Sequence, residues 1–231
     1  MRIGILGGTG PAGKALAARL ASVGFDVLLG SRSRYRAMEV VDNLLEQWPD
    51  RRLTIVAGDN TAAAGSDVVV IATPWDGATQ TAVSVEDRLR GKVVVSMANA
   101  LTKLGKEFQP LVPPRGSVAA SVQAAVPQCM VAAAFHHVPA RELGDLRHPI
   151  ESDVLICSDH AEAVDVTSEI VAKVPNMRPL NAGELAMATP IESFTAVLLQ
   201  LNMHYKTRVA LKLAGIPEAS PAAPADEPPS E

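Results

Sequence analysis

The sequence predicts an α/β protein: a doubly wound, mainly parallel sheet with a small α+β segment added towards its C-terminal end. Three observations carry that expectation. Short, nearly all-apolar runs alternate with stretches of helical spacing through the first 140 residues. A glycine-rich turn follows the first of those runs directly and opens the first helix. Apolar residues make up 48% of the 231 positions but aromatics only 3%, and such small side chains suit helices packed closely on both faces of a parallel sheet.

In order, residues 2–6, "RIGIL", read as a strand. "PAGKALAARLASVG" then has helical spacing, with Leu16, Leu20 and Val23 on one face, Pro11 in the first turn and Gly24 as the stop. "DVLLG" is a second strand and "RAMEVVDNLLEQW" a second helix, closed by Pro49. "LTIVAG" and "DVVVIATP" give the third and fourth strands, and residues 75–89 a helix. "KVVVSMA" and "MVAAAF" give the fifth and sixth strands. Right-handed crossovers between such units make a doubly wound dinucleotide-binding sheet the expected topology.

After Pro139 the pattern changes. "SDVLICSD" reads as one more strand, "AEAVDVTSEIVAKV" as a helix and "RPLNAG" as a short extended piece. Residues 184–213 read as largely helical, interrupted near Pro190. The expected division is a nucleotide-binding domain over 1–140, a small C-terminal domain over 141–216 that walls one side of a cleft, and a disordered tail over 217–231. The tail is Pro-rich and lacks large apolar residues.

Net charge is −4, which argues against non-specific nucleic-acid binding. Cys129 and Cys157 match no metal or redox spacing. No apolar run reaches the length of a membrane span. Met1 leads straight into a strand without a basic leader, so a soluble cytoplasmic protein is expected, with neither membrane nor nucleic acid as a partner.

Gly8-Thr9-Gly10-Pro11-Ala12-Gly13 matches G-x-G-x-x-G between a strand and a helix, the context in which that pattern carries weight. The chemistry needs a tight turn, a bare backbone that a pyrophosphate can approach, and a close helix–strand contact. The anion then meets free amides at the positive end of the helix. At the end of the second strand an NAD site usually has a carboxylate for the ribose 2′-hydroxyl. Here "GSRSRYR" stands instead. A hydroxyl and guanidinium groups would bind a 2′-phosphate by charge-assisted hydrogen bonds. Ser31, Arg32 and Arg36 are therefore expected to select NADP. Arg32 and Arg36 share a face if the helix has begun there, and Arg34 is left to solvent.

Ligands of such sheets lie beyond the carboxyl ends of the strands. That places Thr73, Pro74 and Trp75 beside the nicotinamide ribose, with Thr79 one helical turn further; the alternative for Trp75 is a simple cover for the sheet edge. "SMANAL" and "FHHVPA" occupy equivalent positions. On a strand His136 and His137 would face opposite sides, so they are not expected to share a metal. Each is either a ligand contact or a structural histidine. No nucleophile elbow, zinc-peptidase helix or phosphate loop of the GxxxxGK[ST] type is found. No residue is singled out as catalytic, and no metal is expected. Transfer between two hydride carriers asks mainly for orientation, with the cofactors supplying the chemistry.

The blocks "GGTGPAG", "LLGSR", "IATPWDGA", "VVVSMANAL", "AAAFHHVPA", "SDVLICSDH" and "RPLNAGELA" occur in that order. Together they resemble the NADPH-dependent coenzyme F420 reductases, in their bacterial, actinomycete-like branch, from Met1 to about Ile216. The resemblance implies hydride exchange between NADP(H) and the deazaflavin of coenzyme F420, and a homodimer. It implies that Gly8, Thr9, Gly10, Pro11 and Ala12 meet the pyrophosphate and that Ser31, Arg32 and Arg36 meet the 2′-phosphate. Trp75, Thr79 and His137 would lie near the nicotinamide. Met97, His136 and Val138 would line the deazaflavin side, with Ala196 opposite. Tyr205, Arg208 and Lys212, at helical spacing, are candidates either for the acidic tail of coenzyme F420 or for a solvated or dimer-facing side of a helix. Two other readings keep the fold and NADPH: a reductase of another acceptor (flavin, ferric ion or an imine), and an NADPH sensor without turnover.

Overall fold

The computed structural model describes residues 1–216; the expected tail, 217–231, lies outside them. In chain order the elements are β1 (Arg2–Leu6), α1 (Pro11–Ser22), β2 (Asp26–Ser31), α2 (Arg34–Gln47), β3 (Ile55–Asp59), α3 (Asn60–Ala63) and β4 (Val68–Ile71). Then come α4 (Trp75–Val83), α5 (Glu86–Leu89), β5 (Val93–Ser96), β6 (Leu101–Leu104), β7 (Glu107–Pro110), α6 (Val118–Ala125) and β8 (Met130–Ala133). The chain continues through α7 (Ala140–Leu143), β9 (Ser152–Ile156), α8 (Ala161–Ala172), β10 (Met177–Asn181), a 3-10 turn (Leu185–Met187) and α9 (Ala188–Tyr205).

The main sheet runs β3-β2-β1-β4-β5-β8 with every pairing parallel. The order reverses between β1 and β4, which opens a crevice at their carboxyl ends. Successive strand residues feed opposite faces. Val68 and Val70 of β4 enter the core under α1, α2 and α8, while Val69 and Ile71 enter the core under α4 and α6. This two-sided burial explains why the strands are apolar throughout rather than alternating. Leu16 and Leu20 of α1 are fully buried, and Gly24 ends that helix at φ +96°.

β9 and β10 form a separate parallel pair, linked to the main sheet by a bridge between Ala133 and Cys157. α8 packs on this extension, and its Ile170 and Val171 join the same core as Ile3 and Leu16. After α9 the chain returns across β9. There the buried Asp153 accepts from the Arg178 guanidinium at 2.9 and 2.6 Å and from the Leu213 amide at 2.6 Å.

Several details depart from the sequence expectation. The helix expected over 75–89 breaks at Ser84, whose hydroxyl donates to the Thr81 carbonyl while Val85 turns inward to bury. α9 is unbroken at Pro190, because proline in a first turn costs no intrahelical bond. It stops at Tyr205, where Lys206 is left-handed. The helical spacing of Tyr205, Arg208 and Lys212 is therefore not realised. Arg208 pairs with Glu142 at 2.6 Å, and Lys212 lies 3.7 Å from Asp153. The β6–β7 hairpin and α6 have no counterpart in the expectation. Their local signals are Gly105 at φ +60° in a two-residue loop and Ser117 capping the Ala120 amide at 3.0 Å.

Candidate functional site

The glycine turn sits in the crevice between β1 and β4. Gly7 has φ +67°, and a Cβ there would lie 2.4 Å from Thr73 Cγ2, so conformation and crowding both demand glycine. The Gly8 amide donates to the Gly30 carbonyl at 2.8 Å, which ties the turn to β2. A Cβ on Gly13 would fall 2.7 Å from Gly8 Cα; this is the close approach of α1 to the turn.

Gly10 differs. Its nearest neighbours to a Cβ are 3.8 and 3.9 Å away, so nothing in the fold forbids a side chain. Gly10 is also the N-cap of α1 and brings no side-chain cap, and Pro11 follows it. The first-turn amides of α1 are thus left for an outside acceptor, beneath a backbone kept bare for its approach. Thr9 and Ala12 are half-buried beside it, and Pro11 is exposed.

At the end of β2, Ser31 is buried and its hydroxyl accepts from the Ser33 amide at 3.3 Å. Ser33 adopts extended backbone and caps α2, accepting from the Arg36 amide at 3.4 Å. The helix therefore begins at Arg34, and Arg32 precedes the cap. The shared helical face of Arg32 and Arg36, expected if the helix had begun by Arg32, does not form, because α2 starts only after its cap, Ser33. Arg32, Arg34 and Arg36 are all exposed, and none of their guanidinium groups has an ionic partner among the described residues.

Next to the cradle lies a cavity of about 210 Å³. The loop after β5 contributes Met97 and Asn99, the turn after β8 contributes Phe135 to Val138, and α9 contributes Thr195, Leu198, Leu199 and Asn202. Ala12 of α1 lines it as well, so the glycine cradle opens into it. β8 ends at Ala133, and the histidine pair sits in a turn rather than on the expected strand. Phe135 takes φ +65° there, an uncommon value for a non-glycine residue. That turn buries Phe135 and presents His136 to the cavity.

His136 Nδ1 lies 3.0 Å from the Ala134 carbonyl, so it carries the proton and Nε2 keeps its lone pair. His137 Nε2 accepts from the Leu155 amide at 3.1 Å, which puts its proton on Nδ1. Among the described residues, His136 Nε2 and His137 Nδ1 are buried and make no further hydrogen bond of good geometry. Burial pushes the two imidazoles down to about 3 and about 4, so both are neutral at neutral pH.

A polar seam joins the walls: the Asn99 amide donates to the His136 carbonyl at 2.9 Å, and the Thr195 hydroxyl donates to Asn99 Oδ1 at 3.2 Å. Ala196 is buried on α9, whereas its neighbour Thr195 faces the cavity.

Trp75 and Thr79 line a different hollow, of about 420 Å³, between α4 and α6. The structure therefore does not gather them with His137. Pro74 is exposed at the start of α4. Thr73 packs on Gly7, and its buried Oγ1 has no hydrogen-bond partner among the described residues. Asn99, Thr195, Leu198 and Asn202 escaped the sequence reading. Asn99 lies within the flagged "SMANAL", but the α9 residues had no local signal beyond helical spacing.

The family model for coenzyme F420-dependent NADP oxidoreductases matches residues 2–100. An F420-dependent NADP reductase of Methanocaldococcus jannaschii is 35% identical over 213 residues, 90% of this chain and 95% of that one. The F420-dependent NADP reductase of Methanothermobacter thermautotrophicus is 31% identical over 224 residues, 94% of this chain and 97% of that one. A solved structure from Arthrobacter sp. FB24 superposes with a TM-score of 0.77 at 20% identity, covering 92% of this chain and 100% of the other; at that identity the likeness speaks to fold.

Proposed function

Because the chain belongs to the family of coenzyme F420-dependent NADP oxidoreductases, we propose that its two adjoining sites hold the two substrates of one reaction. NADP(H) takes the glycine cradle and the deazaflavin of coenzyme F420 takes the neutral cavity. The protein is an oxidoreductase that passes a hydride between NADP(H) and coenzyme F420. The observation that carries the placement is the junction: Ala12, in the first turn of the phosphate-binding helix, lines the same cavity as His136 and Thr195.

Between them the substrates supply the redox chemistry, a hydride moving with its electron pair from ring to ring while solvent exchanges the accompanying proton. The chain holds and orients. The uncapped amides of α1 receive the pyrophosphate, and the space above Gly10 admits it. Ser31, Arg32 and Arg36 receive the 2′-phosphate, the unpaired guanidinium groups being available for it. Thr73 supports the nicotinamide side, and Trp75 and Thr79 flank that end from the neighbouring hollow. Met97 and Val138 provide apolar walls. His136, its ring held by the Ala134 carbonyl, forms part of the cavity wall. Neutral imidazoles are poor general acids at neutral pH, so rate enhancement rests on orientation and exclusion of water.

In this reading residues 1–140 bind the nucleotide and 141–216 close the deazaflavin cleft. The protein works in the cytoplasm as a homodimer. Exposed Phe194 and Val197 on α9, beside the hairpin with exposed Leu104, support a self-association face. Light scattering of the purified chain tests the dimer. The activity is tested by mixing protein, NADPH and oxidised coenzyme F420 and following deazaflavin absorbance. Bleaching with NADPH and much less with NADH is expected; unchanged absorbance across the neutral range with NADPH bound would sink the reading.

A further inference from the structure

Glu192 is 4% exposed on α9, and no cation lies against it among the described residues. Its two oxygens accept backbone amides from the first turn of α6, Val118 at 2.8 Å and Ala119 at 3.1 Å. α6 already has a local cap, since Ser117 Oγ accepts from the Ala120 amide. A distant buried anion without a counterion is a costly addition to a capped helix. One helical turn on, Thr195 reaches Asn99 Oδ1 at 3.2 Å and approaches the His136 carbonyl at 3.4 Å. Glu192 therefore fixes α9 to α6, and the next turn of the same helix face forms the cavity wall.

We propose that Glu192 is a positioning residue for the deazaflavin cavity: its carboxylate clamps α9 to the first turn of α6, and proton uptake there releases one amide contact and lets the Thr195 wall move away from Asn99 and His136. The inference rests on reading that cavity as the deazaflavin site.

The physical basis is the acceptor inventory. A carboxylate offers both oxygens to two N–H donors, whereas a neutral carboxyl turns one oxygen into a donor that confronts an N–H. Burial raises the Glu192 carboxyl to about 7, against the pull of the two amide bonds. The surroundings hold few competitors. α6 and the 3-10 turn carry no ionisable side chain, and Glu107 on β7 and His204 on α9 are exposed. The Cys157 thiol, buried and facing the charges of Glu192 and Asp159, is pushed up to about 12 and stays protonated. His136 and His137 remain neutral. Arg115, just ahead of α6, is exposed.

The test uses the full chain in two measurements. Amide NMR follows Val118 and Ala119 across the neutral range without ligand. Fluorescence titration gives dissociation constants for oxidised coenzyme F420 and, as a control, for NADPH, in the wild type, Glu192→Gln and Glu192→Asp. In the wild type both amides should titrate together near pH 7, and affinity for coenzyme F420 should fall about fivefold below that midpoint, the worth of one hydrogen bond. Glu192→Gln should show no such titration and hold the weaker affinity at every pH; its ratio to wild type cancels any titration of the ligand.

Should Glu192→Gln not fold, Glu192→Asp, too short to reach both amides, should weaken coenzyme F420 binding at every pH. NADPH binding should be unchanged throughout. Variants that bind coenzyme F420 like the wild type, or that weaken NADPH equally, overturn the proposal while leaving the assigned activity standing. A wild type that binds no coenzyme F420 at any pH overturns the cavity assignment and the proposal with it.

Discussion

The cradle and the cavity adjoin, yet they are built in opposite ways. The cradle draws on two short stretches, 7–13 and 31–36, each the loop between a strand and its following helix. It keeps its charge in solvent, on three exposed arginines without ionic partners among the described residues. The cavity draws on Ala12, 97–101, 135–140, 195–202 and Val209, and none of its lining residues is charged at neutral pH. An ionic group can be recognised at the surface by cations supplied locally. A flat, largely neutral ring needs a dry, shaped space, and only packing between distant segments makes one.

The largest expected effect tests whether the ends are separable. Gly13→Ala places a Cβ 2.7 Å from Gly8 Cα and 2.9 Å from its carbonyl oxygen, both backbone atoms that cannot swing aside. A stability loss of about 3 kcal/mol is expected in urea denaturation, from overpacking, together with loss of NADPH binding. Retained affinity for coenzyme F420 in the folded fraction would sharpen the contrast; equal loss of both would break it.

Acid tests the neutral end. His136 and His137, at about 3 and 4 rather than 6.5, bind fewer protons folded than unfolded, so stability present above pH 6.5 is lost as pH falls. Glu192, at about 7 rather than 4.5, binds its proton first in the folded state and returns stability between pH 7 and 4.5. Two losses against one gain leave a net fall of about 2 kcal/mol between pH 6.5 and 5. Urea midpoints that stay level or rise on acidification would show that the histidines are not held neutral.

Next comes charge recognition. Arg32→Ala should weaken NADPH binding about 10–100-fold, the range of one hydrogen bond to a charged group. NADH and coenzyme F420 binding should be untouched. Arg34→Ala should move none of the three; an effect equal to that of Arg32→Ala would mean the whole basic run acts as a diffuse field. The smallest effect is at the polar seam. Thr195→Val removes the hydroxyl bonded to Asn99 at little change in shape. An increase of about fivefold in KM for coenzyme F420, with KM for NADPH constant, is expected.

Much of the cradle was legible because its instructions are local. The glycine pattern stands between strand and helix, and "GSRSRYR" spans the end of β2 and the start of α2. Even there one detail failed: Ser33 could be read as another surface residue or as a helix cap, and only its extended backbone decides that Arg32 lies outside the helix. The cavity was half legible. Met97, His136, His137 and Val138 lie at strand ends, where the topology rule directs attention. Asn99 and Thr195 find each other across 96 positions of sequence, and Ala196 drew the attention that its neighbour Thr195 merits.

The sequence alone therefore determined the alternation of strand and helix through most of the chain, the parallel sheet, the glycine turn and the basic group near it. These follow from hydrophobic period, glycine's missing side chain and local charge, which act over a few residues. Tertiary structure decided which face of α9 meets the histidine turn, that both histidines are neutral, and that Glu192 caps a helix far from it in sequence. Burial and hydrogen-bond partners set those properties, and a residue acquires both only when the chain has brought distant segments together.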